Sequence, residues 1–116
     1  MKKTKMLKKN YQFRKVLSKG NFFIEKNIEI FVLKNNLDIN FLGIAVSTKN
    51  GKAFQRNKAK RLIRESYRRL EAQIKEGNSI VVLIKKDTNL KDINFNIVFE
   101  SLKGCFYKAK IIKEEE

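Results

Sequence analysis

Between Gln55 and Leu70 the chain reads QRNKAKRLIRESYRRL, sixteen residues holding seven Lys or Arg, one Glu and an apolar set at helical spacing. At about 100° per residue, Ala59, Leu62, Ile63, Ser66, Tyr67 and Leu70, continued by Ile74, fall on one broad stripe. A helix with such a stripe must bury it against an apolar surface supplied by the rest of the chain. Asn57, Lys60, Arg61, Arg64 and Arg68 line the flank of the stripe, and Lys58, Glu65 and Arg69 take the outer back. Buried anchors would therefore hold a ridge of cations still. A merely solvated helix face alternates its charges, gaining a few tenths of a kcal/mol per i,i+4 pair. Here Lys60–Arg64 and Arg64–Arg68 are like-charge pairs at that spacing, and Glu65, between Arg61 and Arg69, offsets only part of the repulsion. Such a ridge recovers its cost from a polyanion.

The distribution of charge supports this. The chain of 116 residues carries +15 at pH 7. Met1 to Gly20 holds eight Lys or Arg and no acid, and Arg56 to Arg69 holds seven with one acid, so two segments carry nearly the whole excess. A device for solubility would be spread out; this is a surface in two pieces. An interfacial membrane helix would keep its apolar face for lipid, whereas this one needs it for the core. Arg dominates the ridge, and its planar fork suits bidentate phosphate contact. Nucleic acid is the expected partner, not membrane.

Several chemistries fall away. There is no His, so Ser-His and Cys-His nucleophile pairs and most protein zinc sites are not expected. The single Cys105 lies in an apolar helical pattern and reads as a packing residue. No apolar run approaches the roughly 20 residues of a membrane span, and MKKTKMLKKN lacks the apolar stretch of a signal peptide. The expectation is a cytoplasmic protein.

Along the chain, Asn10 to Lys19 reads as a helix stopped near Gly20, and Asn21 to Ile24, Ile28 to Leu33 and Phe41 to Ser47 read as strands. Gly43 leaves room for a close approach in the last of these. Thr48 to Lys52 is a loop, and Gly77 in EGNS closes the basic helix. Ile80 to Ile84 is apolar throughout, as in a strand covered on both faces. Phe95, Val98, Phe99, Leu102, Phe106 and Ala109 mark a last helix. The expected fold class is α+β, an α-β-β-β-α-β-α sandwich with helices against a four-stranded mixed sheet. It is expected to form one domain over 1–116, with a basic segment at 1–9 and a frayed acidic end at 113–116.

Three blocks carry a family likeness. Arg56-Asn57-Lys58-Ala59-Lys60-Arg61-Leu62-Ile63-Arg64 resembles R-N-[RK]-x-[KR]-R-x-x-R, the RNR motif of the bacterial ribonuclease P protein family. LKKNYQFRKV, Leu7 to Val16, resembles that family's L-x-[KR]-x-x-[DE]-F-x-x-V segment, with Gln12 in place of the acid. FLGIAVSTKNGKAFQRN, Phe41 to Asn57, resembles its G-[IL]-x-V-[SP]-[KR]-K-x-G-x-A-V-x-R-N block, with Thr48 where Lys or Arg is usual.

The resemblance implies a left-handed β-α-β crossover around the RNR helix, as in the ribosomal-protein-S5-domain-2-like fold. It also implies a subunit that binds a catalytic RNA and helps it remove the 5′ leader of precursor tRNA. Hydrolysis and the Mg²⁺ it needs would belong to the RNA, with no organic cofactor and no catalytic or metal-binding residue in the protein. By motif position Arg56, Asn57, Lys58, Lys60, Arg61 and Arg64, extended along the ridge to Arg68, would contact the catalytic RNA. Phe13, Leu17 and Phe31, with Lys9 and Lys49 at the rim, would hold the leader between the first helix and the sheet, although the family often has an aromatic where Leu17 stands. The alternatives are a ribosomal or ribosome-assembly RNA-binding protein of similar architecture, and a histidine-free nuclease using Arg, Lys and Tyr67. No helix-turn-helix spacing or zinc-finger cysteines favour DNA.

Overall fold

A computed structural model describes residues 3–114. Lys2 of the expected basic segment, and Glu115 and Glu116 of the expected frayed end, lie outside the described residues. The strands are β1 (Thr4–Met6), β2 (Asn21–Glu25), β3 (Ile28–Lys34), β4 (Asn40–Ala45) and β5 (Asn78–Ile84). The helices are α1 (Asn10–Lys19), α2 (Ala53–Leu70) and α3 (Phe95–Lys108).

The continuous apolar run sits in β5, the central strand of a sheet ordered β1-β4-β5-β3-β2. β4 lies parallel to it, with Leu42 opposite Ile80, and β3 antiparallel, with Ile30 opposite Val82. Side chains alternate across the sheet, so β5 serves two cores. Ile28, Ile30, Val32, Leu42, Ile80, Val82 and Ile84 join Ala59, Ile63, Tyr67 and Leu70 of α2 and Val98, Leu102, Cys105 and Phe106 of α3. The Tyr67 and Phe106 rings meet edge to face, with centroids 6.2 Å apart at 89°. On the other face, Leu7, Val16 and Val81 gather Phe13, Phe31, Leu33, Phe41 and Leu83 beneath α1. α2 crosses between the parallel neighbours β4 and β5, the β-α-β unit that the family likeness singles out.

Two expectations are revised. The sheet has five strands, because β1 pairs parallel to β4 through Thr4–Asn40, Lys5–Phe41 and Met6–Leu42. Thr4 is buried, and its Oγ1 shares a 2.7 Å hydrogen bond with the Tyr67 hydroxyl. Asn40 Oδ1 accepts from Asn78 N at 2.8 Å, so the polar groups at this end of the sheet satisfy one another. The second revision concerns the end of the basic helix. α2 stops at Leu70, and a 3₁₀ turn over Glu71–Gln73 leads into extended Ile74, which bridges Ile112. Gly77, at φ 88°, instead makes the turn into β5. Order reaches past α3, where Lys113 N donates to Gln73 O at 2.7 Å.

Both α1 and α2 begin with a neutral cap. Gln12 Oε1 accepts from Lys8 N and Lys9 N, each at 3.0 Å, and Gln55 Oε1 accepts from Lys52 N at 2.9 Å. Gln12 thus caps α1 from the position where the motif has an acid. Among the described residues no helix is long and apolar enough to cross a membrane.

Candidate nucleic-acid interface

Burial divides α2 where the periodicity divides it. Ala59, Ile63, Ser66, Tyr67 and Leu70 are buried, whereas Asn57, Lys58, Arg61, Arg64, Arg68 and Arg69 are exposed. Not every cation on the helix is available. Arg68 Nη1 pairs with Glu65 Oε1 at 2.9 Å, so Glu65 spends itself one turn along and not on Arg61 or Arg69. The Arg69 guanidinium lies 4.6 Å above the Phe95 ring of α3, a cation–π contact. Half-buried Arg56 turns back to donate to Gly51 O at 3.2 Å. Among the described residues Lys58, Lys60, Arg61 and Arg64 have no acidic partner. They are the open part of the ridge.

The loop before α2 is fastened. Ser47 Oγ accepts from Lys49 N at 3.2 Å, and Asn50 Nδ2 donates to Lys85 O at 3.2 Å and Thr88 O at 3.3 Å. Lys49 is exposed on this fastened loop, and Lys9 is exposed just before α1. In the N-terminal segment Lys3 is already engaged, 2.6 Å from Glu76. The hydrogen bond and charge of that pair hold the Glu76 carboxyl below its usual range and raise Lys3.

The α1 face brings some of the expected leader residues together. Phe13 and Phe31 belong to one half-buried cluster, and Leu17 lies outside it, 37% exposed. Gly43 lies directly under Phe13, because a Cβ there would stand 2.6 Å from Phe13 Cε1 and 3.0 Å from Leu7 Cδ1. On the other flank of α1, Tyr11, Gln12, Val16, Leu33 and Phe41 line a cleft of about 400 Å³.

Residues 1–110 match the sequence model of the family described as Ribonuclease P. The chain belongs to the ribonuclease P protein family. The ribonuclease P protein component of Clostridioides difficile is 44% identical over 99 residues, covering 82% of this chain and 87% of that one. That of Clostridium acetobutylicum is 36% identical over 116 residues, covering 98% and 96%. The structure of the Staphylococcus aureus RNase P protein superposes with a TM-score of 0.82 at 30% identity, covering 93% of this chain and 97% of that one.

Within the ribonuclease P family fold, the register of the sheet adds a residue that the motifs do not single out. Phe22 on β2 faces Phe31 across the strand pair, with ring centroids 5.1 Å apart, and is 48% exposed. The pair extends the aromatic surface from Phe13 across the open sheet. A run of Asn-Phe-Phe-Ile does not say which Phe faces α1; only the pairing register does.

The reading of Tyr67 as a nuclease side chain ends here. Tyr67 is fully buried and its hydroxyl is pushed up to about 12, chiefly by loss of water, so it is not a surface nucleophile. Burial also pushes the Cys105 thiol up to about 12, leaving a packing residue whose Sγ lies 3.5 Å from Ile28 O. Among the described residues no three of His, Cys, Asp and Glu gather as metal ligands.

Proposed function

We propose that this chain is the protein subunit of a ribonuclease P ribonucleoprotein, an endoribonuclease that removes the 5′ leader of precursor tRNA. α2 binds the catalytic RNA through Arg56, Asn57, Lys58, Lys60, Arg61 and Arg64, with Arg68 contributing at the far end of the ridge. The observation that carries this reading is the open ridge, four cations without acidic partners held by the buried Ala59, Ile63, Ser66, Tyr67 and Leu70. Arg56 has a double role, since it also fastens the loop at Gly51.

The α1 face holds the single-stranded leader, with bases stacking on Phe13, Phe22 and Phe31 and phosphates met by Lys9 and Lys49. Leu17 borders this surface as an apolar contact. Mg²⁺ is bound mainly by the RNA, which carries out the hydrolysis; the protein positions and neutralises.

Purified protein incubated with precursor tRNA is expected to leave it intact, and to restore cleavage by the RNA subunit at low magnesium. Cleavage by RNA-free protein, or an RNA that gains nothing from it, would refute the reading. For the leader surface, Gly43→Ala is expected to lift the Phe13 ring at a cost of about 1–3 kcal/mol in stability. It should weaken binding of leader-bearing precursor tRNA while leaving affinity for the RNA subunit unchanged. Titrating the holoenzyme with precursor and with leaderless tRNA separates the two effects, and equal loss on both would place the leader elsewhere.

A further inference from the structure

Phe54 is the most exposed large apolar side chain among the described residues, at 69%. It stands in the first turn of α2, and at about 100° per residue it falls about 180° from buried Ile63. The ring is therefore held away from the sheet. Asn57, Lys58 and Arg61 follow at i+3, i+4 and i+7, the positions that share one side of a helix. Ring and cations form one strip. The ground beneath the ring is firm, since Gln55 caps Lys52 N at 2.9 Å and Asn50 ties the preceding loop to Lys85 O and Thr88 O.

The cations select the occupant. A second copy would bring its own +15 against this strip. A partner that is both polyanionic and rich in flat apolar faces is a nucleic acid with bases out of the stack. We propose that Phe54 stacks on an unpaired base of the catalytic RNA while Lys58 and Arg61 hold the flanking phosphates. The inference rests on α2 being the element that binds the RNA subunit.

The test uses holoenzyme reconstituted from the full chain and its RNA subunit. Phe54→Leu should weaken RNA binding about 5- to 150-fold, with the salt dependence of the wild type because no charge is removed. Phe54→Trp, which keeps a stacking face, should bind within about threefold of wild type. Wild-type affinity for Phe54→Leu, alongside weakened Arg64→Ala, would overturn the stacking and leave the α2 reading standing. Wild-type affinity for both variants would overturn the two together. A photoreactive benzoylphenylalanine at position 54 should crosslink to an unpaired RNA nucleotide, and a crosslink to a second protein copy instead would sink the proposal.

Discussion

Replacing Arg61 and Arg64 together by Ala is expected to lower affinity for the catalytic RNA by about 10²- to 10⁴-fold. Both side chains are exposed without acidic partners, so nothing in the folded protein is lost with them. Each charge-assisted bond to phosphate is worth about 1.5–3 kcal/mol, and about 1.4 kcal/mol is tenfold in affinity. The salt dependence is the sharper measurement. If the ridge and the N-terminal segment make about 6–10 phosphate contacts, wild-type affinity falls about 10³- to 10⁵-fold between about 50 and 200 mM salt. Losing two contacts should flatten the logarithmic slope by about 1.4–1.8. Titrations across a salt series decide the matter, and a double variant that keeps the wild-type slope would place the interface off α2.

The largest effect on stability is expected from Tyr67→Ala. The ring is fully buried, meets Phe106 edge to face, and bonds Thr4 through its hydroxyl. Truncating a buried aromatic costs about 3–5 kcal/mol, a large part of the 5–15 kcal/mol that typically holds a domain. Thermal unfolding should move down by roughly 12–20 °C. Tyr67→Phe isolates the hydroxyl. It keeps the ring but strands Thr4 Oγ1, at a cost of about 1–3 kcal/mol, and should loosen β1 before the rest of the sheet. Amide exchange resolves this, and uniform loosening of all strands would show that β1 does not depend on the bond. There is also an alkaline signature. Burial pushes the folded-state hydroxyl to about 12 against an ordinary value of 10.0, so its contribution is whole below the lower value and lost as pH rises through the upper one. The Phe variant should lack that part of the alkaline decline.

Much of this fold was legible because its signals are local and repeated. α1 runs over the residues its spacing marks, and the apolar Ile80–Ile84 run is the doubly covered central strand. The division of α2 into stripe and ridge followed from angle alone. β1 was hidden because its inward residue is polar, and Thr4 becomes a core residue only through Tyr67, sixty-three positions away. Likewise helical spacing puts Arg61, Arg68 and Arg69 all within reach of Glu65 without choosing Arg68, and no local pattern says that Arg69 will rest on Phe95. The Arg69 contact depends on where α3 packs, and the two pairings together decide which cations remain open. The aromatic surface beside α1 was half visible: Phe13 and Phe31 stand in motif positions, but Phe22 joins them only by strand register.

The two glutamine caps bear on how this protein would respond to engineering. A carboxylate in place of Gln12 or Gln55 would keep the acceptor geometry and gain about 0.3–1 kcal/mol from the helix dipole. At Gln55 it would also fix a negative charge in the first turn of α2, beside the ridge proposed to meet RNA, whereas at Gln12 the family motif itself carries an acid. An optimisation that scores the free protein for thermal resistance would favour Glu at both positions, and at Gln55 it would work against the proposed RNA contact. On the proposed reading, the neutral Gln55 cap leaves stability unclaimed at the entrance of α2, where a carboxylate would repel RNA.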